Sequence, residues 1–255
     1  MTAQSRGPTE QPVAVVTGAS SGIGAATARA LAARGFRPVL GARRVERLRE
    51  VAEQTGGLGL PLDVTDAASI EAFTAEVERA AGRIDLLVNN AGLALGLDPV
   101  EAIDDEDVIT MWETNVLGLL RVTRAALPLI RRSGAGHIVN IGSVAGFDNY
   151  RGGAGYTSTK HAVRAITQTL RLELNGEPIR VTEIAPGMTD TEFGQVRFKG
   201  DEERARGTYR GLTPLSAEDI AECVAFAATR PPHVDIDYLV VRPVAQAASW
   251  LVARE

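Results

Sequence analysis

Val13-Ala14-Val15-Val16-Thr17 runs without a break into Gly18-Ala19-Ser20-Ser21-Gly22-Ile23-Gly24, and this stretch decides the fold of the chain. The first five residues are apolar and mostly β-branched, as a strand buried on both faces should be. The glycine-rich turn then leads into the helical period of Ile23 to Arg34. Strand, turn and helix N-terminus in that order form a cradle for a pyrophosphate. Glycine lets the backbone approach closely, and the free N–H groups and positive helix end supply the attraction. The spacing differs from the commoner G-x-G-x-x-G, and a tight turn in an unrelated α/β domain is the alternative on this stretch alone.

Outward from this turn, short apolar runs alternate with helical periods, the pattern of a parallel sheet wrapped by helices. The expected strands are 13–17, 38–42, 58–62, 86–89, 137–141, 180–184 and 238–241. The expected helices are 23–34, 45–54, 67–81, 104–132, 155–174 and 217–229. Asp66 is a cap candidate, and Ser216 with Asp219 fits a capping box. Pro128 is expected to kink or end the longest helix. The sequence thus predicts one doubly wound Rossmann domain over 13–255, with a seven-stranded parallel sheet. Residues 1–12 read as a flexible tail, and 187–214, which lacks a clear period, reads as a functional lid.

Composition fits this. The 255 residues are 45% hydrophobic and 23% charged, which excludes disorder and collagen. A net charge of -5, from 27 Lys+Arg and 32 Asp+Glu, argues against nucleic acid or an anionic membrane as the main partner. The single cysteine, Cys223, reads as a structural thiol. No signal-like segment or run of about 18 apolar residues occurs, so a cytoplasmic protein is expected.

The second strand ends Gly41-Ala42-Arg43-Arg44, with no carboxylate for a free ribose hydroxyl and two guanidinium groups suited to a phosphate, which favours NADP over NAD. The alternative is that both arginines merely cover the next helix. Tyr156 and Lys160 are four apart on one helical face. An ammonium there would lower the phenol's pKa and make it a usable acid or base, although this spacing is also common on solvated helices.

Together these residues resemble the short-chain dehydrogenase/reductase family over nearly the whole chain. Thr17, Gly18, Gly22, Ile23 and Gly24 match its cofactor turn, Asn89-Asn90-Ala91-Gly92 its post-strand motif, and Asn115, Ser143, Tyr156 and Lys160 its active-site set. The resemblance implies hydride transfer between NADP(H) and a carbonyl or alcohol, without a metal. Tyr156 would be the acid or base, Ser143 would bind the substrate oxygen, and Lys160 would hold the nicotinamide ribose. Asn115 would anchor a proton-relaying water. It further assigns Ser20, Ser21, Asp63, Val64, Asn90, Ala91 and Gly92 to the cofactor, with Pro186, Gly187, Thr189 and Thr191 at its nicotinamide end. A homotetramer formed through the two long helices is the family expectation.

The stretches Thr191-Glu192-Phe193, Val196 to Asp201, Pro232-His233-Val234 and Pro243 to Gln246 are similar to a narrower group, bacterial NADP-dependent 3-hydroxy acid dehydrogenases. Arg197 or Lys199 would then pair with a substrate carboxylate, the alternative being that both are surface cations on a mobile loop; Arg151 would either bind the carboxylate itself or neutralise Asp148. Asp148 would repel an anion if it points inward, which keeps a neutral aldehyde or ketone open as substrate. A nucleotide-binding regulator without chemistry is the remaining alternative. His137, His161 and His233 lack metal-ligand spacing.

Overall fold

A computed structural model describes residues 11–255; the proposed tail lies outside the described residues except for Gln11 and Pro12, and the Pro12 carbonyl accepts from Arg37 N at 2.8 Å. Seven strands form one sheet in the order β3-β2-β1-β4-β5-β6-β7, and every pairing is parallel. They are β1 (Val13–Thr17), β2 (Arg37–Ala42), β3 (Leu58–Pro61), β4 (Leu86–Asn89), β5 (Gly136–Ile141), β6 (Ile179–Pro186) and β7 (Tyr238–Val241).

The helices are α1 (Gly22–Ala32), α2 (Val45–Thr55), α3 (Ala67–Ala81), α4 (Asp105–Trp112), α5 (Leu119–Arg131), α6 (Ala154–Glu173), α7 (Phe193–Arg197), α8 (Glu202–Gly207) and α9 (Ala217–Ala228). Alternation along β1 divides the core. Ala14 and Val16 pack with Leu31, Ile220 and Val224 on one face, while Val13 and Val15 pack with Phe73, Val77 and Leu129 on the other. Both expected caps form: Asp66 accepts from Ala68 N, and Ser216 and Asp219 make a reciprocal capping box.

Two expectations need correction. The long helix does not end at Pro128, which sits inside α5 three residues before its last residue, Arg131. Pro128 and Arg124, one turn earlier, are both exposed, so the carbonyl the proline leaves unpaired faces water. The irregularity falls instead at Glu113–Gly118, a π-helical turn that separates α4 from α5 and carries Asn115. The aperiodic segment 187–214 also contains structure, the short helices α7 and α8.

The order reverses between β1 and β4. In such sheets ligands bind outside the carboxyl ends of the strands at this point, where the Gly18 turn and Asn90-Ala91-Gly92 leave their strands.

Candidate active site

A cavity of about 800 Å³ runs along this edge, from Arg44 and Asp63 past Gly18 and Asn90 to Ser143, Tyr156 and Arg197. Gly18 and Gly22 have positive φ, 65° and 52°, which a side chain disfavours. Thr17 Oγ1 accepts the N–H groups of Asn90 and Ala91, each at 3.0 Å. The Asn90 amide donates back to Thr17 O at 2.8 Å and Gly18 O at 3.3 Å. These bonds fix the turn, so the Asn90 side chain shapes the cradle from behind. Gly24 also lies behind it, where a Cβ would stand 2.5 Å from the Asn90 amide nitrogen.

At the β2 end, Arg44 donates to Ser20 Oγ at 3.2 Å, Ser21 Oγ at 2.5 Å and Glu192 at 2.7 Å. Asp63 accepts both from Thr65 N and from its hydroxyl. Burial pushes the Asp63 carboxyl up, but these bonds and the Arg43 charge outweigh it and leave the group below its usual value. Arg43, Val64, Ala91, Gly92, Pro186, Gly187, Thr189 and Thr191 all line the cavity.

At the other end β5 delivers Ser143, whose Oγ caps the following 3-10 turn through Ala145 N at 3.1 Å. Helix α6 carries Tyr156 and Lys160. Lys160 Nζ donates to Ile141 O at 2.9 Å and lies 5.8 Å from the Tyr156 ring centroid. Burial lowers the Lys160 pKa to about 8, against the pull of Glu183. Burial also raises the Tyr156 phenol above its ordinary value; the Arg197 charge and the Ser143 hydroxyl oppose this without overcoming it. The lowered phenol expected from Lys160 is therefore not what this arrangement gives, and the opposing cation is Arg197.

Asn115 is buried behind Lys160. Its Oδ1 accepts from Leu93 N at 2.8 Å, and its amide donates to Leu93 O at 2.8 Å and Thr159 Oγ1 at 3.0 Å. Both amide protons are thus committed to clamping the β4 exit loop onto α6. A water would have to be held by acceptor atoms of this residue, its Oδ1 or its backbone carbonyl, and not by the amide protons.

Arg197 enters the cavity from α7. Its guanidinium carbon is 5.0 Å from the Tyr156 ring centroid and 5.4 Å from that of Phe193, and it donates to Tyr150 Oη at 2.9 Å. Its Nε is buried without a partner. Arg151 lines the cavity from an exposed position. Lys199 does not line it; its Nζ pairs with Asp107 at 2.9 Å. Asp148 is bound by Ser249 N at 2.6 Å, and that donor partly offsets its charge. The sequence reading placed Tyr150, Glu192 and Phe193 in site segments without giving them a role and did not single out Arg47, because their contacts join distant segments that no local motif marks.

Among the described residues, no group of three His, Cys, Asp or Glu is placed to hold a metal, and no helix is long and apolar enough to cross a membrane.

An uncharacterized oxidoreductase of Mycobacterium tuberculosis strain H37Rv is 55% identical over 241 residues, covering 94% of each chain. The NADP-dependent 3-hydroxy acid dehydrogenase of Salmonella typhi is 44% identical over 242 residues, 94% of this chain and 98% of that one. The solved closed form of a serine dehydrogenase complexed with NADP+ superposes with a TM-score of 0.90 at 41% identity, covering 95% of this chain and 99% of that one. The short chain dehydrogenase family model matches residues 12–202, and the chain belongs to that family of oxidoreductases.

Proposed function

We propose that this protein transfers hydride between NADP(H) and a small 3-hydroxy acid or its carbonyl counterpart. The observation that carries the acid reading is Arg197, a guanidinium beside the Tyr156 ring with a buried, unpartnered Nε. An unpaired buried donor is costly, and a carboxylate is the group an arginine fork binds best. The names of the Salmonella relative and of the NADP+-bound serine dehydrogenase support both the substrate class and the cofactor.

The cavity residues fit that cofactor. The positive-φ glycine turn receives the pyrophosphate at the start of α1. Arg43 and Arg44, with Ser20 and Ser21, form the 2'-phosphate end, where Arg44 already holds an anion in the Glu192 carboxylate. The nicotinamide supplies or accepts the hydride. Tyr156 donates its phenolic proton to the carbonyl oxygen in reduction and takes the alcohol proton in oxidation. Ser143 bonds the same oxygen and steadies the charge that develops there. Lys160 binds the ribose, and Asn115 fixes the loop against which Lys160 packs. Segment 187–214 acts as the lid that brings Arg197 to the substrate.

The test is oxidation of allo-threonine beside 1-amino-2-propanol, which lacks the carboxylate, with reduced nicotinamide followed by absorbance. A strong preference for the acid is expected. Equal rates, or no turnover of either, would move the assignment to a neutral aldehyde or ketone.

A further inference from the structure

Glu192 sits among an unusual set of donors. Its Oε2 accepts from Arg44 at 2.7 Å and its Oε1 from Arg47 at 2.6 Å, and the Ser21 hydroxyl adds a third bond. Arg44 also grips Ser20 and Ser21. Two guanidinium groups and a hydroxyl converging on one small anion are what a phosphate monoester requires. The cluster stands at the end of β2, where a dinucleotide fold reads the adenosine ribose. Arg47 is one turn into α2, on the face that Arg44 opens.

A dianionic phosphate and a carboxylate cannot share the same Arg44 donor, and at this range they repel one another. We infer that Glu192 is an internal competitor for the 2'-phosphate of NADP(H), and that Arg47 is a third cation of that site. Entry of the phosphate moves Glu192 off Arg44. Glu192 is followed directly by α7, whose Phe193 ring meets Tyr156 edge-on with centroids 5.5 Å apart and whose last residue is Arg197. Exchange at the phosphate end thereby reaches the segment that touches substrate. A cofactor without the phosphate leaves the Glu192 contacts in place.

This inference rests on the 2'-phosphate end lying at Arg43 and Arg44, and the experiment separates the two. NADPH and NADH are titrated by fluorescence into the parent, Glu192→Gln, Arg47→Ala and Arg44→Ala. Glu192→Gln should tighten NADPH roughly three- to tenfold, the effect of freeing two exposed ion pairs, and leave NADH within about twofold. Arg47→Ala should weaken NADPH alone. Amide hydrogen exchange across 191–197 should respond differently to NADPH and NADH in the parent and alike in Glu192→Gln. Unchanged or weaker NADPH binding by Glu192→Gln, while Arg44→Ala still loses discrimination, overturns the competitor. If Arg44→Ala weakens both cofactors equally, the phosphate site itself is misplaced.

Discussion

His137→Gln should change how the stability of this protein responds to acid. His137 lies in β5 at 1% exposure, with Nε2 bonded to Thr182 Oγ1 at 2.8 Å and Nδ1 without a partner. Burial, helped by the Arg180 charge, drives its pKa down to about 3, whereas in the unfolded chain it titrates near about 6.5. The unfolded state therefore takes up a proton that the native state refuses. The stability linked to this group is fully present above the unfolded pKa and drains away as pH falls towards the folded one. Between pH 7.5 and pH 5.0 the loss comes to about 2 kcal/mol. Glutamine keeps a partner for Thr182 and does not titrate. Glu183, buried with its pKa raised to about 7, acts in the opposite sense but is common to both proteins and cancels. Urea unfolding at the two pH values should show the parent losing about 2 kcal/mol more than the variant. Equal losses would refute the reasoning. The sign also bears on activity, since a decline of the parent in mild acid would then belong to the fold and not to a titrating histidine at the chemistry.

Three further outcomes follow from the site. Tyr156→Phe should leave NADPH binding within about twofold and cut turnover by about 10²–10⁴-fold; parental turnover would exclude Tyr156 as the proton donor. Arg197→Leu should raise KM for a hydroxy acid by about 10–100-fold, the value of a charge-assisted bond, and leave a neutral alcohol unaffected; equal changes for both substrates would place the carboxylate elsewhere. Gly24→Ala forces a methyl to within 2.5 Å of Gly18 O and the Asn90 amide, a strain of about 1–3 kcal/mol, so a melting temperature lower by several degrees and weaker NADPH binding are expected; an unchanged melt would mean the turn has room to relax.

The architecture was legible because its signals are local. Seven short apolar runs, the central ones buried on both faces and the edge strands β3 and β7 only partly so, announce a parallel sheet one strand at a time, and the caps at Asp66 and Ser216 depend on side chains within three residues. The glycine turn and the Tyr156-Lys160 pair were visible for the same reason. What escaped depends on chain segments far apart in sequence. Arg197 meets Tyr150 across 47 residues, and Arg44 meets Glu192 across 148. Nothing in the neighbourhood of Lys199 distinguishes it from Arg197, yet a nearby Asp107 draws it away from the cavity. The rise in the Tyr156 pKa was equally hidden, since burial, which sequence spacing does not report, outweighs the neighbouring charges.

The π turn at Glu113–Gly118 amounts to one surplus residue in an otherwise ordinary helix. Removing any one residue from it would let α4 and α5 anneal into a continuous α-helix with better backbone bonding. The flanking helices would keep their faces, but the residues within the turn would shift, and the clamp that Asn115 makes to Leu93 and Thr159 would be displaced. Such a shortened protein would gain a more regular helix and lose the brace behind Lys160. The bulge is thus a defect whose correction would disarm the enzyme.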